Sequence, residues 1–123
     1  MKKFKILSFD GGGIKGALSI EILSRIIDKY PNFLNEVDLF TGTSTGAIIA
    51  ALLAKGVPID DLKKLYSKEI SREIFSSPKL NILKPKFKNN CLKKIISNYF
   101  DHNFKINDFK RYIIIPAFYL GDK

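Results

Sequence analysis

The chain has 123 residues, of which 46% are hydrophobic, 27% charged and 12% aromatic, a globular composition that excludes intrinsic disorder and fits one domain. Its 21 Lys and Arg outnumber 12 Asp and Glu, giving a formal net charge of +9. The one cysteine, Cys91, excludes a disulfide framework and any multi-thiolate metal site, and reads as a small apolar side chain in a reducing compartment.

In chain order, residues 4–9 form a short apolar run that stops at Asp10-Gly11-Gly12-Gly13, as a buried strand does where it meets a tight loop. The basic start before it imitates a signal peptide, but Ile6 to Phe9 is too short an apolar core for export, so a soluble cytoplasmic protein is expected. From Gly16 the pattern turns helical, with Leu23, Ile26, Ile27 and Tyr30 on one face and Pro31 preventing continuation. A second strand is predicted over residues 37–42. Residues 45–55 follow as an almost wholly apolar helix, ended by Gly56 with Pro58 beyond it. At Ala47 to Ala54 this helix holds the longest uncharged apolar stretch, far below the roughly 20 residues that span a bilayer.

Asp60 and Asp61 supply first-turn negative charge to a third helix with an apolar stripe of Leu62, Leu65, Tyr66, Ile70 and Ile74 and with Glu69, closed by Ser76-Ser77-Pro78. Residues 79–90 read as a loop. Asn90 is a suitable N-cap for a fourth helix carrying Leu92, Ile95, Ile96, Tyr99 and Phe100. Residues 112–120 form a continuous apolar run, as in a strand covered on both faces, although Pro116 removes a ladder hydrogen bond and favours a bulge or an edge position. The alternation of strands and helices predicts an α/β fold, three-layer α/β/α with a mainly parallel sheet. Gly121-Asp122-Lys123 is turn chemistry with no strand after it, so the sheet is expected to be incomplete at the C-terminus and residues 1–123 to be the N-terminal part of something longer.

The charge is unevenly distributed: residues 1–78 carry 11 basic and 9 acidic side chains, residues 79–123 carry 10 and 3. Lys79, Lys84, Lys86, Lys88, Lys93 and Lys94 fall within sixteen residues that contain no carboxylate. Such a field attracts anionic lipid headgroups or nucleic acid, and the plainer reading is a solvated lysine-rich face. Nucleic acid is not expected as a partner; peripheral contact with an anionic membrane through Lys79 to Lys94 stays open.

Two loops carry the chemistry. In Asp10-Gly11-Gly12-Gly13-Ile14-Lys15-Gly16, consecutive glycines let backbone N–H groups converge where a helix begins, which suits a phosphate or a transient oxyanion. Gly42-Thr43-Ser44-Thr45-Gly46 matches G-x-S-x-G at a strand-to-helix junction, where small flanking residues permit a sharp turn that projects the serine Oγ. If the first two strands are parallel neighbours, both loops leave from strand carboxyl ends, and Ser44 faces the glycine N–H groups as a nucleophile faces an oxyanion hole. Gly11, Gly13 and Gly16 also satisfy the dinucleotide pattern G-x-G-x-x-G. Against that reading, Asp10 would repel a pyrophosphate, and the acid expected some 20 residues on would have to be Asp38, which precedes its strand. A Ser44, Asp, His102 triad drawing on Asp60, Asp61 or Asp101 is a weaker alternative.

Residues 6–16 and 38–46, with the later Ile115-Pro116-Ala117 and Lys84-Pro85-Lys86-Phe87, resemble the patatin-like acyl hydrolases, relatives of cytosolic phospholipase A. The resemblance spans nearly the whole chain but only the N-terminal part of that family's domain. It implies a serine-aspartate dyad with Ser44 as the nucleophile and an oxyanion hole at Gly11, Gly12 and Gly13, supported by Asp10, Lys15, Gly16, Gly42 and Gly46. It implies no cofactor and no metal, and a phospholipid or other acyl-ester substrate. The family's aspartate belongs to an Asp-Gly-Gly or Asp-Gly-Ala motif well downstream, and none follows Ser44 here. Residues 1–123 alone are therefore expected to be inactive, the other reading being a lipid- or partner-binding fragment.

Overall fold

The computed structural model describes residues 3–67, 93 and 96–118. Three strands, β1 (Ile6–Phe9), β2 (Leu39–Gly42) and β3 (Tyr112–Ile114), form a parallel sheet in the order β1-β2-β3. Helix α1 (Gly16–Lys29) connects β1 to β2, α2 (Thr45–Lys55) follows β2, and α3 (Ile59–Leu65) follows α2. The α/β fold with an open parallel sheet is as the alternation of elements requires.

The register pairs Ile6 with Leu39 and Leu39 with Tyr112, so residues in step share a face. Leu7, Phe40 and Ile113 point to one face, where Phe9, Phe40 and the α2 residues Ile49, Leu52 and Leu53 make the core with Ile20 and Leu23 of α1 and Leu62 and Leu65 of α3. On the other face Ile6, Tyr112 and Ile114 are more than half exposed. The expectation that the last strand is covered on both faces is therefore corrected. Both crossovers run in one direction across the sheet, and right-handed connections then stand α1 and α2 on the same side. Regular pairing stops at Ile114, two residues before Pro116, and β3 is the edge of the described sheet.

Helix α2 follows its predicted bounds. Gly56 takes a left-handed conformation (φ 93°), and the Val57 N–H donates to the Leu52 carbonyl, closing the helix as glycine C-caps do. The first helix buries Gly16, Ile20, Leu23 and Ser24, whereas Tyr30 lies past its end and is exposed. The apolar face thus begins earlier than predicted, at Ile20, and does not include Tyr30. Helix α3 ends at Leu65, short of the prediction, because Tyr66 leaves the helical conformation (φ −100°, ψ 14°). Glu69, Ile70, Ile74, Cys91, Leu92, Ile95, the Asn90 cap and the Lys79 to Lys94 stretch, apart from Lys93, lie outside the described residues. Residues 96–99 are helical as expected. Among the described residues no helix is long and apolar enough to cross a membrane.

Candidate active site

Parallel pairing of Phe9 with Gly42 ends β1 and β2 side by side, so the two glycine-containing loops leave the sheet at the same carboxyl edge. The Thr43 N–H donates to the Phe9 carbonyl at 3.2 Å, carrying the alignment one residue past the strands. A Cβ on Gly42 would lie 2.8 Å from the Phe9 carbonyl oxygen, and one on Gly46 would lie 2.7 Å from the Phe9 carbonyl carbon and 2.9 Å from the Asp10 oxygen. These are backbone atoms that cannot rotate away. Only glycine at both positions lets the turn cross the end of β1.

Between them Ser44 has φ 53° and ψ −123°, and it is the one non-glycine residue with positive φ among the described residues. Such a conformation persists only where the surroundings over-determine it. Ser44 stands at the N-cap of α2, yet its side chain makes no capping hydrogen bond, and the residue is exposed. Serine is favoured at such a position chiefly because it caps. Here the Oγ has no hydrogen-bond partner among the described residues and stands at the positive end of an 11-residue helix dipole.

The glycine loop lies against this turn. A Cβ on Gly11 would meet Ser44 Cβ and the Thr43 carbonyl oxygen, each at 2.9 Å. Gly12 and Gly13 have φ 157° and 59°, and a 3-10 turn over Gly13–Lys15 leads into α1. Among the described residues the Gly12 and Gly13 N–H groups have no protein acceptor, whereas the Gly11 N–H donates to Thr43 Oγ1 at 3.0 Å. Lys15 is exposed, with its aliphatic stem alongside Gly12. Gly16 is buried at the start of α1, where a Cβ would lie 2.8 Å from the Tyr66 ring. Asp10 is exposed at the mouth of the loop. Ser44, Gly11, Gly12, Gly13, Lys15, Gly42 and Gly46 are thus gathered at one edge of the sheet.

The triad alternative is not assembled. Lys55, at the far end of α2, donates to the Tyr99 carbonyl, and its ammonium stands 5.0 Å and 4.8 Å from the Phe100 and Phe104 ring centres. His102 and Asp101 lie between those two phenylalanines, in a turn where Asp101 accepts the Asn103 N–H at 2.8 Å. Asp60 and Asp61 open α3 just beyond the same helix end. An 11-residue helix is about 16 Å long. His102, Asp60, Asp61 and Asp101 therefore stand a helix length from Ser44. Asp38 is also misplaced for a dinucleotide site, since its carboxylate accepts the Lys5 N–H at 2.8 Å at the opposite edge of the sheet from Gly11. A hollow of about 760 Å³ runs along β3, lined by Asp38, Asn107, Arg111, Tyr112 and Ile114 among others, and neither Ser44 nor a glycine of the loop lines it.

Three contributors are not legible in the sequence. Thr43 is the variable position of G-x-S-x-G, and its contact with Gly11 spans 32 residues. Tyr66 fits a helical stripe in the sequence, yet its ring packs on Gly16 and its hydroxyl lies 3.5 Å from the Thr45 carbonyl, too long for a firm bond. Burial pushes the Tyr66 phenol up to about 12. Thr45 is buried, and its Oγ1 has no partner among the described residues.

A strained, exposed serine at a strand-to-helix turn, set against a loop with free N–H donors, has the geometry of serine acyl hydrolases on α/β sheets. The patatin-like phospholipase family model matches residues 7–119, and the chain belongs to that family. It is 31% identical over 121 residues to Protein teg of Priestia megaterium, covering 98% of this chain and 38% of that protein. It is 40% identical over 77 residues to a cUMP-AMP-activated phospholipase of Escherichia coli, covering 58% and 23% of the two chains, and 34% identical over 74 residues to the human calcium-independent phospholipase A2-gamma, covering 58% and 9%. The chain thus spans well under half the length of these relatives. No solved structure matches it.

Proposed function

We propose that the protein of which this chain is part is a lipid acyl hydrolase that uses Ser44 as its nucleophile. The observation that carries the reading is the contact between the Ser44 turn and the glycine loop, 2.9 Å from the Gly11 Cβ position to Ser44 Cβ, beside free N–H donors. Membership of a phospholipase family and the names of two relatives point to a phospholipid or similar ester as substrate. An aspartate outside the described residues takes the Ser44 proton as Oγ bonds to the ester carbonyl carbon, and the loop N–H groups hold the resulting oxyanion. Collapse of this intermediate breaks the ester C–O bond, and the leaving alcohol takes the proton from the aspartic acid. The same carboxylate then deprotonates water as its oxygen bonds to the acyl carbon, the acyl–Oγ bond breaks to release the fatty acid, and Oγ takes the proton back from the aspartic acid, restoring Ser44.

Incubating full-length protein with phospholipid vesicles and with an activated short-chain ester tests this reading, and retained hydrolysis in Ser44→Ala sinks it. The distance of His102, Asp60, Asp61 and Asp101 from Ser44 supports the expectation that residues 1–123 taken alone have no esterase activity. Hydrolysis by that segment, abolished by His102→Ala, would overturn it. Lys79 to Lys94 support peripheral contact with an anionic membrane; salt-sensitive cosedimentation with phosphatidylserine vesicles is the check.

A further inference from the structure

We propose that Thr43 is a positioning residue that sets the oxyanion hole, its hydroxyl holding the Gly11 N–H so that Gly12 and Gly13 are left to donate. The inference rests on the acyl-hydrolase reading and adds a division of labour within the glycine loop. Gly11, Gly12 and Gly13 are equivalent in the sequence but not in the fold. The Gly11 N–H is committed to Thr43 Oγ1 at 3.0 Å, while the next two N–H groups have no acceptor among the described residues.

Thr43 is itself held firmly. Its N–H donates to the Phe9 carbonyl at 3.2 Å, and its carbonyl accepts the Gly46 N–H at 2.9 Å. A backbone anchored at the end of β1 and at the start of α2 thus presents one hydroxyl to the loop. The contact is close on every side, because a Cβ on Gly11 would also lie 3.2 Å from Thr43 Oγ1. The loop's own backbone bonds lie on its far side, where the Lys15 N–H donates to the Gly12 carbonyl at 3.2 Å and the Gly16 N–H to the Gly13 carbonyl, while Gly12 is exposed and Gly13 half-buried. Two consecutive glycines have wide conformational freedom, and the Thr43 bond limits it from the Gly11 side. Because the same residue precedes Ser44, the hydroxyl ties the loop that carries the donors directly to the turn that carries the nucleophile.

Thr43→Val keeps the branched shape and removes the hydroxyl; Thr43→Ser keeps the hydroxyl and removes the methyl. In the full-length enzyme Thr43→Val is expected to lower kcat by about tenfold to a hundredfold, the scale of a misplaced catalytic group. KM should stay within about twofold, and Thr43→Ser should stay within about threefold of wild type in kcat, because it keeps that group. A trifluoromethyl ketone, which adds to the serine as a tetrahedral oxyanion, should bind Thr43→Val more weakly by a factor similar to the loss in kcat. A purely structural role would lower the melting midpoint without this pairing. If Thr43→Val does not fold, Thr43→Ala against Thr43→Ser makes the same comparison. Unchanged kcat in the variant lacking the hydroxyl, equal damage in Thr43→Ser, or undiminished ketone binding would overturn the proposal. Ester hydrolysis that is absent from wild type, or unaffected by Ser44→Ala, would instead overturn the acyl-hydrolase reading.

Discussion

The two ends of helix α2 are built on opposite terms. At its C-terminal end every device favours stability: Gly56 closes the helix in the left-handed region, and Lys55 donates to the Tyr99 carbonyl. The Lys55 ammonium also faces Phe100 and Phe104, which pack edge-on at a centroid distance of 5.1 Å, and Phe104 packs edge-on with Phe109 at 4.9 Å. At the N-terminal end Ser44 is strained, its hydroxyl does not cap the helix, and Thr45 Oγ1 is buried without a partner among the described residues. One end anchors the helix, and the other is held out of its local optimum by its neighbours. The hollow along β3 underlines the point. It has volume, but its Asp38 carboxylate is already engaged by the Lys5 N–H, whereas the Ser44 edge has donors without acceptors among the described residues.

Breaking the strained end at the serine has the largest expected effect. Ser44→Ala should reduce ester hydrolysis by the full protein by about 10⁶, the usual cost of losing a hydrolase serine. Its melting midpoint should hold or rise, since alanine gives up only an exposed hydroxyl. A midpoint that falls by many degrees would mean that Ser44 serves the fold.

Next in size is the crossing beneath that serine. Gly46→Ala drives a methyl into the backbone of Phe9 and Asp10, and overpacking against atoms that cannot rotate should destabilise the protein by about 3 kcal/mol. Urea unfolding measures it. A cost below about 1 kcal/mol would show that the turn relaxes freely, contrary to the over-determined geometry proposed for it.

Alkaline titration sharpens the comparison from below the site. Tyr66 wedges against Gly16, and burial raises its phenol from 10.0 to about 12. The neutral form is favoured in the fold, so this stabilisation is complete below pH 10 and is lost as the pH rises through 12. At about 1.4 kcal/mol for each tenfold change in acidity, and with partial solvation discounted, the loss should be about 2 kcal/mol. Denaturant midpoints across that window should fall in wild type and fall less in Tyr66→Phe; equal slopes would remove Tyr66 from the account.

The smallest effect belongs to the anchored end. Lys55→Met keeps the stem and removes the ammonium, and loss of the Tyr99 hydrogen bond and the aromatic contacts should cost about 1 kcal/mol. Hydrolysis should stay within about twofold of wild type, because no N–H donor near Ser44 moves. A loss of activity larger than the loss of stability explains would mean that the two ends are coupled through the helix.

Features that act over a few residues are legible in the amino-acid order alone. Helix α2 runs from Thr45 to Lys55 as predicted, because its apolar content, its C-terminal glycine and the following Pro58 are all local influences. The glycine spacing of both loops and the strand-to-helix alternation are readable for the same reason, and with them the family. Other features wait on assembly of the fold. The preference of the first helix for Ile20 over Tyr30 and the exposure of Tyr112 and Ile114 follow from which side of the sheet the crossovers stand on, and α3 ends where the Tyr66 ring packs on Gly16. His102 is separated from Ser44 by the packing of its neighbouring phenylalanines on Lys55. Thr43 meets Gly11 only because β1 and β2 pair in one register, Phe9 opposite Gly42, and a slip of a single residue would turn each side chain of β2 to the other face. Periodicity and turn chemistry describe a chain within its own neighbourhood, whereas a hydrogen bond across 32 residues exists only once the sheet has assembled.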